Sequence, residues 1–177
     1  MSERPPVEMS DASDFEEAYR RHYQAVYRTC RRFAAGDREW AMDVTQDTFL
    51  RLAERLPELD ESVSIAGWLN RVAVNLCVDR LRRYQVLSRI SSYLPSREQP
   101  KNPERELQEF RDLERVEHEL ARLPDRERMI VVLIHWMHMT QEEAAAQVGY
   151  SRSYTAKLYQ RALSRLRRAH WEVDDET

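Results

Sequence analysis

Three glycines in 177 residues, Gly36, Gly67 and Gly149, narrow the folds open to this chain more than any other feature. Phosphate-cradling loops and dinucleotide folds need several glycines close together. Many-stranded β architectures need repeated tight turns. The chain has the residues for neither. Its apolar positions recur instead at intervals of three and four, the period of a helix packed on one face. Phe15, Tyr19, Val26, Cys30 and Phe33 form one such stripe. Ser13 and Glu16 have capping-box spacing at its start. Gly36-Asp37 ends that helix and offers a cap to the next, which carries Ala41, Val44, Phe49, Leu52 and Leu56 and stops at Pro57. A third stripe, Trp68, Val72, Ala73, Leu76 and Leu81, predicts a helix from about Ile65 to about Tyr84. No strand-like alternation is sustained, so the expected class is all-α.

The segment 88–103 (SRISSYLPSREQPKNP) loses the period and holds three prolines, which marks a linker. Helical spacing resumes near Glu104, with Leu107, Phe110, Leu113, Val116, Leu120 and Leu123, and Pro124-Asp125 suits the start of another helix. The organisation expected is a flexible tail over 1–13, a helical domain over 14–87, the linker 88–103, a second helical domain over 104–171, and an acidic tail over 172–177.

Charged residues are 33% of the chain and mean hydropathy is -0.76. No stretch approaches the roughly 18 apolar residues a membrane span requires, and the N-terminus lacks the apolar core of a secretion signal. The expected location is therefore the cytoplasm. Two cysteines, Cys30 and Cys77, are too few for a disulfide framework or a cysteine zinc site. His135 and His138 lack the further ligands a metal would need, and no nucleophile–base arrangement stands out. Neither an enzyme nor a cofactor is expected.

The net charge of -3 hides a pattern. Residues 61–97 carry +4 and residues 120–171 carry +5, while the flanking and intervening segments are acidic. Each basic block alone reads as a solvated helix face. Two blocks, each late in a helical unit, point to a polyanion. The second block also contains a helix-turn-helix pattern. Thr140-Gln141-Glu142-Glu143 is a capping box, Ala144 to Ala146 allow close helix crossing, Gly149 supplies the turn, and Ser151 caps a basic helix. Such a helix suits a DNA major groove.

Two stretches carry a resemblance. DVTQDTFLRL (Asp43 to Leu52) followed by GWLNRVAVNLCVDRLRR (Gly67 to Arg83), and LARLPDRERMIVVLIHWMHMTQEEAAAQVGYS (Leu120 to Ser151), resemble the bacterial RNA polymerase sigma factors of the small, extracytoplasmic-function type. The resemblance implies a sigma-2-like domain and a sigma-4-like helix-turn-helix domain joined by a linker. It implies that Asp43, Gln46 and Asp47 meet the β′ clamp helices of core polymerase, and that the β flap is a second docking point. It implies that the Leu59 to Ser64 loop, with Leu59, Asp60, Glu61 and Ser62, and Asn75 beyond it, face a base extruded from the minus-10 promoter element. Arg80, Arg82, Arg83 and Arg89 then meet phosphates. Arg152, Ser153, Lys157, Gln160 and Arg161 are the candidates for the minus-35 element. An anti-sigma protein is a further implied partner. The loop carries Leu-Asp-Glu-Ser where many members have an aromatic residue followed by basic or small ones. A DNA-binding regulator of sigma-like ancestry, which does not direct initiation, is the alternative at this point, as is a protein that binds polymerase without promoter DNA.

Overall fold

A computed structural model of the chain describes residues 9–60, 63–90 and 109–174. Seven helices account for most of them: α1 (Met9–Phe33), α2 (Arg38–Arg55), α3 (Ile65–Ile90), α4 (Glu109–Ala121), α5 (Asp125–His135), α6 (Gln141–Val148) and α7 (Arg152–Asp174). A single 3-10 turn, Leu56–Glu58, follows α2, and no strand occurs among the described residues.

Helices α1, α2 and α3 pack on one another, as do α5, α6 and α7. In the first cluster Phe33, Val44, Leu52, Leu69, Val78 and Leu81 are fully buried, each contributing about 2 kcal/mol of burial free energy. Cys30 and Cys77 meet in that core, where their mutual hydrogen bond, helped by Thr45, holds the Cys30 thiol below its ordinary value against the opposing effect of burial. Aromatic rings of α1 (Phe15, Tyr19 and Tyr23) close over Phe49 of α2. In the second cluster Met129, Ile130, Val132 and Leu133 of α5 meet Ala144 and Val148 of α6 and Leu158 and Ala162 of α7.

Local chemistry sets the ends of these elements. Asp37 caps α2 by accepting from the Trp40 N–H at 2.9 Å. The Thr140 hydroxyl accepts from the Glu143 N–H at 3.2 Å, and the Glu143 carboxylate accepts from the Thr140 N–H at 2.8 Å, a complete capping box. Gly149 ends α6 at φ 69° and ψ 34°, a conformation that costs side chains dearly.

Three ends differ from expectation. Helix α1 begins at Met9, so Ser13 lies inside it rather than at its cap, and Met9 to Ser13 are helical rather than tail. Helix α3 continues to Ile90, past the expected end at Tyr84 and past the start of the expected linker. Helix α7 reaches Asp174 and takes in the start of the acidic tail. The rest of the linker, and the helix expected from Glu104 to 108, lie outside the described residues.

Candidate functional site

The first surface is the outer face of α2. Its inner face, Ala41, Val44, Thr45, Thr48, Phe49 and Leu52, is buried, with the Thr45 and Thr48 hydroxyls satisfied by carbonyls four residues back. The opposite face presents Asp43 and Gln46, both exposed, with Asp47 half-buried. Two apolar residues share that face: Met42 at 42% and Leu50 at 63% exposure. Helical spacing carries Met42, Gln46 and Leu50 along one line. Sequence reading missed Met42 and Leu50, because an apolar residue on a helix is assigned to a core by default. Asp47 does not stand free. Its carboxylate forms an ion pair with Arg80 of α3, a residue expected at promoter phosphates.

The second surface is divided. Leu59 packs half-buried against the core, while Asp60 is exposed and its carbonyl accepts from the Val63 N–H at 2.9 Å. Glu61 and Ser62 lie outside the described residues. The Ser64 hydroxyl accepts from the Gly67 N–H at 3.2 Å, which fixes the loop to the first turn of α3. Trp68 packs against the core. Farther along α3, Asn75, Arg82 and Arg83 are exposed, and the first two lie beside the second cluster. The Asn75 carbonyl oxygen accepts from the Gln147 amide of α6 at 2.5 Å. The Arg82 guanidinium lies against Gly149, where a β-carbon would come within 3.3 Å of it. Arg89 sits in the last turn of α3.

The third surface is the outer face of α7. Ser151 caps it by accepting from the Tyr154 N–H at 3.3 Å. Thr155, Leu158 and Ala162 face inward, and Ser153, Lys157, Gln160 and Arg161 are exposed on the other side. Arg152 lies 3.9 Å from Glu142, but both side chains are about three-quarters exposed, so the pair leaves Arg152 available. Arg165 pairs with the buried Glu127 of α5 at 3.0 Å while most of its own side chain stays exposed. His135 meets the Tyr159 hydroxyl at 2.9 Å, and His138 occupies the turn before α6 at φ 54°.

A fourth feature is an apolar groove of about 430 Å³ on the second cluster. It is lined by Arg115, Val116, Glu119 and Leu120 of α4, Val131 of α5, Trp136, and Leu166 of α7.

Sequence and structure comparisons bear on these surfaces. The Sigma-70 region 2 family matches residues 18–86, and the Sigma-70 region 4 family matches residues 120–168. The RNA polymerase sigma-E factor of Streptomyces coelicolor is 29% identical over 160 residues, covering 90% of this chain and 87% of the relative. The sigma factor YlaC of Bacillus subtilis is 26% identical, covering 90% and 94%. Among solved structures, the sigma factor RpoE of Bartonella quintana, in complex with the anti-sigma factor NepR, aligns over 88% of this chain and 95% of its own at a TM-score of 0.56. Its identity is 19%, so the likeness is one of fold. The two matched regions fall, in order, on α1–α3 and on α5–α7. The chain belongs to the sigma-70 family, in its extracytoplasmic-function type, and is a sigma factor that directs RNA polymerase to promoters.

Proposed function

We propose that the chain divides this work between its two clusters, with residues 14–87 docking on core polymerase and engaging the minus-10 element, and residues 104–171 engaging the minus-35 element. The α2 face is the docking surface for the β′ clamp helices. Asp43 and Gln46 supply charge and hydrogen bonds, and Met42 and Leu50 supply apolar area at the centre of the contact. That exposed face carries the reading: a stand-alone DNA-binding regulator has no use for two solvent-facing apolar residues beside an acid on a helix remote from its recognition helix. The groove beneath α4 suits an apolar segment of the β flap. Lys157, Gln160 and Arg161 read the upstream element, with Arg152 and Ser153 on phosphates at the positive end of α7. Asn75, Arg82 and Arg83 face the downstream element.

The work takes place in the cytoplasm, where polymerase and chromosome meet, and no helix among the described residues is long and apolar enough to cross a membrane. An anti-sigma protein, of the kind bound to the Bartonella factor, is a further partner.

Co-elution with sigma-free bacterial core polymerase tests the docking surface. The Asp43→Ala/Gln46→Ala variant is the comparison, because it leaves Asp47 paired with Arg80. Wild type is expected to co-elute and the variant to be lost. A wild type that passes core polymerase unbound, or a variant that binds equally well, overturns the assignment.

A further inference from the structure

Arg80 and Arg82 stand two residues apart on α3 and face opposite ways. At about 100° per residue, Asn75, Arg82 and Gln85 fall within roughly 80° of one another, and Arg80 lies about 170° from the middle of that arc. The contacts agree. Asn75 accepts from Gln147 of α6, Arg82 lies against Gly149, and Gln85 accepts from Arg126 of α5 at 3.1 Å. Arg80 turns instead to α2, where its Nη2 donates to the Asp47 carboxylate. The basic run that promised a single row of phosphate contacts in the sequence is therefore split by the helix between two surfaces.

Asp47 belongs to the outer face of α2. Asp43, Asp47 and Leu50 fall within about 60° of one another on that helix. Arg51, one turn after Asp47, is exposed at the same edge. Two cations thus flank one acid, and the edge beyond Asp47 is net positive. The Arg80 and Asp47 side chains are 31% and 42% exposed. An ion pair so open to water adds little to stability. Its effect is to hold a long side chain in one place. A guanidinium carries its N–H donors in a planar fork, more of them than one carboxylate can use. A side chain placed in advance also loses less freedom when a partner arrives.

We infer that Arg80 is a residue of the polymerase dock: Asp47 positions its guanidinium at the edge of the α2 face, where, with Arg51, it receives a carboxylate of the β′ clamp helices. The inference rests on the assignment of that face to core polymerase. It moves Arg80 away from promoter phosphates, and it makes Asp47 a positioning residue that acts through Arg80.

The test uses the full chain, labelled at its N-terminus and titrated with sigma-free bacterial core polymerase by fluorescence anisotropy. Each holoenzyme is then titrated, at several salt concentrations, onto a duplex that the wild-type holoenzyme enriches from a random-sequence library. Arg80→Ala is expected to weaken core binding about tenfold, with thermal unfolding unchanged within a degree or two and the salt slope of duplex binding as in wild type. Asp47→Asn should weaken core binding about threefold. In the Arg80→Ala background it should cost nothing further, because its effect passes through Arg80. Arg80→Met keeps the apolar stem and decides the matter if Arg80→Ala does not fold. Unchanged core binding without the guanidinium overturns the inference. So does a salt slope that falls by about one, the mark of a lost phosphate contact. An Asp47→Asn loss that persists in full without Arg80 overturns the positioning role, because Asp47 would then meet polymerase itself. A wild type that does not bind core polymerase overturns the assignment of the α2 face, and the inference falls with it.

Discussion

Arg128 shows how much a single residue does in this chain. Its side chain is 1% exposed, yet all its donors point at oxygen: Nε at the Phe33 carbonyl, Nη1 at the Leu123 carbonyl at 2.9 Å, and Nη2 at the Asp125 carboxylate. The Phe33 carbonyl is at the C-terminal end of α1, where the helix dipole favours a cation. Removing a guanidinium from water costs several kcal/mol, and only this set of acceptors offsets it. Methionine in its place fills the stem but strands the acceptors. Arg128→Met is expected to lower the unfolding free energy by about 3 kcal/mol in urea titration. The exposed pairs on α1 set the contrast. Arg20–Glu16 and Arg21–Glu17 have the right helical spacing but side chains about two-thirds to three-quarters exposed. Glu16→Ala in the same titration is expected to change stability by no more than about 0.5 kcal/mol. A loss of similar size in both variants would mean that the buried arginine is no better placed than a surface one.

At the scale of the element, the helix-turn-helix is the part most legible in sequence, because its chemistry is local. Thr140, Glu143, Gly149 and Ser151 do at their positions what their spacing predicts. The Glu143 carboxyl, accepting from the Thr140 N–H and hydroxyl, is held below its ordinary value. A carboxylate lowered in the folded state stabilises most above its unfolded pKa, and its contribution fades as pH falls through the lower folded value. Thr140→Ala is expected to cost about 1 kcal/mol near neutral pH, with the difference from wild type shrinking in acid. A gap that stays constant down to acid pH would count against the reciprocal cap. The helix ends that escaped the sequence had no such local mark. No glycine or proline separates Met9 from Ser13, and none follows Tyr84 until Pro95, so nothing in either stretch halts a helix. The α2 face was half legible. Its acids are marked by the resemblance of the DVTQDTF string, but Leu50 matches a core residue in kind, and only the packed structure shows that none of the described residues covers it. Leu50→Asp is expected to leave thermal unfolding unchanged within a degree or two and to weaken core polymerase binding about tenfold, read by the concentration needed for co-elution. A large drop in stability would place Leu50 in the core after all.

At the scale of the whole molecule, what sequence could not give is the joint between the clusters. Arg128 reaches Phe33 across 95 positions and Arg31 reaches Glu117 across 86, separations that no periodicity encodes. The Arg31–Glu117 pair belongs to that joint and is nearly buried, at 11% and 7% side-chain exposure. Glu117→Ala strands the Arg31 guanidinium and is expected to lower the unfolding free energy by about 3 kcal/mol in urea titration. A loss below about 0.5 kcal/mol would put the pair with the exposed ones on α1 and leave the joint without an electrostatic hold.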